Sequence, residues 1–291
     1  MPVEAIHLSA FADSLAGSTA AATLARPDLR ELGRLGALVI DFPYFERFPI
    51  GVMRHFLKLP TAVSKWGDEL HHGRPVLMAK SMLLRARSLH TDGAEAAAQR
   101  VLALALGFVS HLAVDASLHP LVNRLARARA ERIGDHPLRQ HTEVEKFQSV
   151  LFHEARNGFD FMGQRAFADH ARVSARTIHE DASLRAAFCE GLEAAVGHVP
   201  SQALLVDWAR GYSQYVWLVS SIAGKTLAPE RAKRAFHDEV YVGSWGTFQA
   251  AYGEAVESSR RALDVALAFV GDAALEQAFD AELPAGAIDD L

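Results

Sequence analysis

Along most of the chain apolar residues recur three or four positions apart, the period of an amphipathic helix, and no run alternates as a strand does. The pattern predicts an all-α protein. Helices are expected over Leu8–Ala16, from Pro27 to about Leu35, over Arg74–Ser88, and from Asp92 to about Leu118. Asp92 and Glu95 have the spacing of a capping box. Pro120 disfavours helical geometry at the residue before it, which places His119 at the end of its helix. The next helix is expected to take Asp135 as N-cap and to stop near Asn157 and Gly158. Further helices are expected near Ala182–Val196, Gln202–Lys225, Pro229–Val240 and Thr247–Phe279. Between the second and third helices, GALVIDFPYF is a short apolar stretch broken by Pro43, so Asp41 falls in a turn or irregular segment. Connections are short, with no internal repeat. The expected architecture is one all-α domain, a multi-helix bundle over 1–291, with a metal-ligand core at about 1–158, a helical lobe at about 159–282 and a frayed tail at 283–291.

One interruption of the apolar pattern stands out. In FVSHLAVDASLHP, His111, Asp115 and His119 recur every four residues, which stacks them on one helix face. In HTEVE, His141 and Glu145 repeat the step. A lone histidine on an apolar face is ordinarily a core residue with one hydrogen-bond partner. Five imidazoles and carboxylates on two such stripes are different, because burying them unpaired costs several kcal/mol each. A metal cluster between two core helices accounts for them.

Composition narrows the chemistry. The single cysteine, Cys189, excludes an internal disulfide and leaves metal binding to nitrogen and oxygen ligands. The formal net charge of −5 argues against duplex nucleic acid as a partner. The basic stretch Arg124–Arg132 reads as a solvated helix surface. MPVEAIHLSAF lacks the basic and apolar regions of a secretory signal, and the most apolar windows contain charged residues, so no transmembrane segment and a cytoplasmic location are expected.

Further candidate ligands lie upstream: His7 ahead of the first helix, Asp41, and either His71 or His72 in DELHHGRP. The ordered string, with the Asp-x-Pro turn of GALVIDFP, then H-x-x-x-D, a further His and H-x-x-x-E, resembles the bacterial zinc-dependent phospholipase C family. The superfamily of that family also holds single-strand-specific zinc nucleases. The resemblance covers about residues 7 to 145, and no motif aligns beyond Gly158.

The resemblance implies an all-α scaffold with two or three zinc ions, other divalent transition metals being alternatives. Asp41, His71 (or His72), His111 and Asp115 would hold one ion, and His119, His141 and Glu145 a second. His7 and Asp115 would hold a third, with Asp115 bridging. In secreted members the free amino terminus ligates the third ion; six residues precede His7 here, so the cluster is either binuclear or trinuclear.

The function expected is hydrolysis of a small phosphoester or phospholipid by metal-activated water. Asp41 is the first candidate for orienting or deprotonating that water, and Glu145 the second. Phe42, Tyr44 and Phe45 line the cleft or belong to the core. Competing readings are a single-strand nuclease, which wants a basic groove, and a non-catalytic protein whose metals staple the bundle. An HD-type phosphohydrolase needs an adjacent His-Asp pair among the ligands, and His237-Asp238 lies far from them in sequence.

Overall fold

The computed structural model describes residues 4–48, 50, 64–158 and 162–283. It is all-α, with no strand among the described residues. The elements are α1 (Glu4–Leu15), α2 (Ala20–Thr23), α3 (Pro27–Gly36), a 3₁₀ segment (Val39–Phe45), α4 (Lys65–His72), α5 (Pro75–Thr91), α6 (Glu95–Ile133) and α7 (Pro137–Asn157). They continue with α8 (Arg165–Ala171), α9 (Thr177–Glu180), α10 (Ala182–Val196), α11 (Gln202–Ser220), α12 (Glu230–Phe236), α13 (Val242–Gly271) and α14 (Glu276–Glu282). The tail expected at 283–291 lies, apart from the buried Leu283, outside the described residues.

The axis of the bundle is α6, packed by α1, α3, α5, α7, α10 and α13. Its buried residues include Val101, Leu104, Phe108, Leu112 and Val114. Among the described residues α6 is the one helix long and apolar enough to cross a membrane, and 83% of that apolar window is buried, as in a core helix. The main apolar cluster runs from Ala5 to Leu283, drawing on residues before and after 158.

Two expectations about α6 are corrected. Asp92 follows α5, its amide bonded to the Ser88 carbonyl at 2.9 Å, and α6 starts after Ala94 with no side-chain cap. The helix also runs through Pro120, so His119 lies inside it and not at its end. Proline in a helix costs roughly 3 kcal/mol. Leu121, Val122, Ala126 and Ala130, all buried beyond it, offset that cost by packing.

The α3–α6 crossing brings backbone onto backbone. A Cβ on Gly107 would stand 1.8 Å from the Gly33 carbonyl oxygen, and one on Gly36 would stand 2.0 Å from that of Leu104. Only glycine permits this approach, and it lays the chain after α3 against the middle of α6. The 3₁₀ segment that follows is held from the other side by α11. Phe42 stacks on Tyr212 at 4.8 Å, Phe45 packs on Tyr212 and Tyr215, and Asp207 accepts the Arg47 amide at 3.0 Å.

The C-terminal helices also differ from expectation. The helix after Gln202 stops at Ser220 and gives way to a 3₁₀ turn at Ile222–Thr226. The break expected between Val240 and Thr247 is absent: α12 passes through a π turn (His237–Tyr241) directly into α13. Burial of Tyr241, Ser244 and Phe248 keeps this glycine-containing stretch helical.

Candidate metal centre

Five segments bring the expected ligands together. His7 lies inside α1 rather than ahead of it; Asp41 lies in the 3₁₀ segment, its geometry set by Pro43 and the aromatic clamp. The pair His71–His72 ends α4, and burial separates the two: His71 is 3% exposed, whereas His72 faces solvent. His111, Asp115 and His119 form the stripe on α6, and His141 and Glu145 that on α7.

Asp115 stands at the centre. Its Oδ1 lies 3.2 Å from His7 Nε2 and 3.5 Å from His119 Nε2, and its Oδ2 lies 2.9 Å from His111 Nε2. Asp41 Oδ1 is 3.3 Å from His71 Nε2, and its Oδ2 is 4.0 Å from His111 Nδ1. Glu145 Oε1 is 3.1 Å from His141 Nε2 and 3.5 Å from His119 Nε2. Three groups have ligand atoms within 4.8 Å of one another: His7, His111 and Asp115; Asp41, His71 and His111; and His119, His141 and Glu145. His237 and Asp238 form a separate exposed pair.

The donor set fits zinc. Imidazole nitrogen and carboxylate oxygen suit it, and ligand atoms about 2.0–2.1 Å from a tetrahedral ion are about 3.3 Å apart. Most of the distances above lie near that spacing. His111 Nε2 and Asp115 Oδ2 approach to 2.9 Å, yet the ring is not aligned to donate a hydrogen bond. The buried His111 Nε2 is thus without a hydrogen-bond partner among the described residues, a place a metal ion would fill.

Outer contacts orient the rings. His111 Nδ1 donates to the Ala37 carbonyl at 2.8 Å, a contact delivered by the glycine crossing of α3 and α6. His71 Nδ1 donates to the Gly67 carbonyl at 2.9 Å, with the Tyr44 hydroxyl 3.2 Å away. His141 Nδ1 bonds Asn123 Oδ1 at 2.8 Å. In each case Nε2 is turned toward the carboxylates, the arrangement that fixes a ligating tautomer. His7 differs: its Nδ1 finds no partner among the described residues.

Two contributors, Asn123 and Gln148, escaped the sequence reading, whereas Tyr44 was weighed there as cleft or core. Asn123 continues the four-residue step of His111, Asp115 and His119, so the stripe announced it. Tyr44 lies at the edge of the cluster while Phe42 and Phe45 belong to the core. Gln148 follows His141 and Glu145 on the same face of α7 and lines a cavity of about 20 Å³ with His7, Asp115, His119 and Glu145.

Electrostatics reinforce the arrangement. Burial opposes ionisation of Asp115, but His111, His119 and His7 outweigh it and hold the carboxyl well below its usual range. Burial likewise opposes ionising Glu145, which His141 and His119 lower, and Asp41, which His111 and His71 lower. For His111, burial works against the cation, yet Asp115 and Asp41 push its pKa up to about 9. The pocket is thus built around carboxylates that stay ionised and demand positive charge.

The family model described as zinc dependent phospholipase C matches residues 30–188, more than half of the 291-residue chain. The match extends past Gly158, where no motif was expected to align, and begins after His7. No curated protein and no solved structure matches the chain. With seven of the eight candidate ligands inside the matched region, the chain belongs to the zinc dependent phospholipase C family.

Proposed function

We propose that this chain hydrolyses a phosphodiester, of a phospholipid or a smaller phosphoester, at the cluster centred on Asp115. The observation that carries the reading is the convergence of three ligand groups on one buried set, with Asp41 and Glu145 as its most accessible carboxylates, 16% and 14% exposed at the side chain. Bound zinc supplies charge neutralisation and polarisation of phosphoryl oxygens.

The protein's own groups divide the remaining work. Asp41, fixed by the 3₁₀ segment and aimed between His71 and His111, orients the attacking water and accepts its proton. Glu145 is the second candidate, tied more closely to His119 and His141. His71, His111 and His141 hold their rings through Gly67, Ala37 and Asn123, so little reorganisation is needed on binding. A cytoplasmic location belongs to the same proposal, with phosphoesters met from inside the cell.

The narrowness of the cavity beside His7 favours a second reading, in which the metals only staple the bundle. Turnover separates the two. Zinc-loaded protein is expected to cleave bis-aryl phosphates or phospholipids, and Asp41→Asn to lower turnover by about a hundredfold or more, in the range of losing a general base, with the helical fold and most of the zinc retained. Zinc-loaded wild-type protein inert toward bis-aryl phosphates, phospholipids and single-stranded nucleic acid would establish the structural reading instead.

A further inference from the structure

Gln148 is a buried amide with no assigned work. It is 1% exposed, and its Nε2 finds no hydrogen-bond partner among the described residues. It stands three residues after Glu145 and seven after His141, so α7 carries all three on one face. Gln148 lines the small cavity shared by His7, Asp115, His119 and Glu145, with Leu118 and Phe248 among its apolar walls.

An unpaired buried N–H is costly. Asp115 and Glu145 border the same cavity, yet neither carboxylate accepts from Gln148 Nε2. Gln148 thus carries an unpaired donor and borders a space of about 20 Å³. That is room for one water-sized group, because a water needs roughly 10–15 Å³ by this measure. What fits is a single oxygen atom that accepts from Nε2 on one side and lies against the cluster on the other. A neutral amide suits that place, since a further carboxylate would repel an anionic oxygen beside Asp115 and Glu145.

We propose that the Gln148 carboxamide donates a hydrogen bond to a phosphoryl oxygen that enters the cavity between His7, Asp115, His119 and Glu145. The inference rests on the phosphodiesterase reading and adds to it the residue that recognises the phosphoryl group.

The test uses full-length zinc-loaded protein and inorganic phosphate as probe, followed by calorimetric titration, with zinc per chain and Tm measured alongside. Gln148→Met keeps the length of the side chain and removes the donor. It is expected to keep the zinc complement and Tm and to bind phosphate about tenfold more weakly, the factor that corresponds to about 1.4 kcal/mol. Gln148→Asn, which withdraws the amide by one methylene, is expected to behave alike and serves if the first variant folds poorly. Unchanged phosphate affinity in both variants would overturn the inference and leave the phosphodiesterase reading standing. Loss of a zinc equivalent would overturn it too, by making Gln148 a metal ligand. Wild-type protein that holds zinc but binds no phosphate would remove both.

Discussion

Asn123 Oδ1 lies 2.8 Å from His141 Nδ1, so a residue one turn beyond His119 on α6 reaches across to orient a ring on α7. The contact joins the two stripes and turns His141 Nε2 toward Glu145. Removing such an outer partner typically weakens metal binding about 10–100-fold. Asn123→Ala is therefore expected to loosen the ion at His119, His141 and Glu145 by that factor. A chelator competition titration resolves this as one weakened class of zinc beside an unchanged one. Identical titration curves for variant and wild type would show that the contact does not orient the ligand.

The glycine crossing makes a different demand. At Gly107 the obstacle to a Cβ is the Gly33 backbone, which has no rotamer to change. Overpacking of this kind costs ~1–3 kcal/mol. Gly107→Ala should reduce stability to denaturant by at least about 2 kcal/mol. Gly253→Ala, on the open face of α13 where a Cβ meets nothing within 4 Å, is the control. It is expected to be neutral or to stabilise by up to about 1 kcal/mol through helix propensity. Equal effects at the two positions would contradict the close crossing.

How much of this was legible follows from range. The stripes His111–Asp115–His119 and His141–Glu145 are local, and helix geometry placed them before any contact was known. Burial, a tertiary property, was needed to choose His71 over His72. Pro120 misled because a local steric preference was outweighed by the packing of Leu121, Val122 and Ala126. The Ala37 carbonyl that seats His111 is a backbone atom brought in by a crossing of segments far apart in sequence, from Gly33 and Gly36 to Leu104 and Gly107, and no side-chain pattern announces it. Asn123 was announced, by a third step of the same spacing.

Acid should destabilise the protein through a histidine outside the cluster. His153 on α7 packs against His170, with ring centres 4.9 Å apart. Burial first, then His170 and Arg156, pushes its pKa down from 6.5 to about 3. Between those values the unfolded chain binds a proton that the folded chain refuses, so this contribution falls as pH drops through the window and is constant above it. The slope is at most about 1.4 kcal/mol per pH unit. His153→Gln is expected to flatten the loss of stability below pH 6.5 relative to wild type. Equal slopes for the two proteins would mean that His153 is not held neutral.

The central claim is that one carboxylate, Asp115, ties the cluster together, and zinc stoichiometry reaches it most directly. Asp115 faces His7, His111 and His119 through both its oxygens, whereas His7 stands in one group and its Nδ1 has no outer partner among the described residues. Elemental analysis of wild-type protein is expected to give two or three zinc equivalents per chain, a small deficit in His7→Ala, and a larger one in Asp115→Asn. Wild-type protein that cannot be loaded to two equivalents, or equal losses in the two variants, would contradict a cluster built on Asp115.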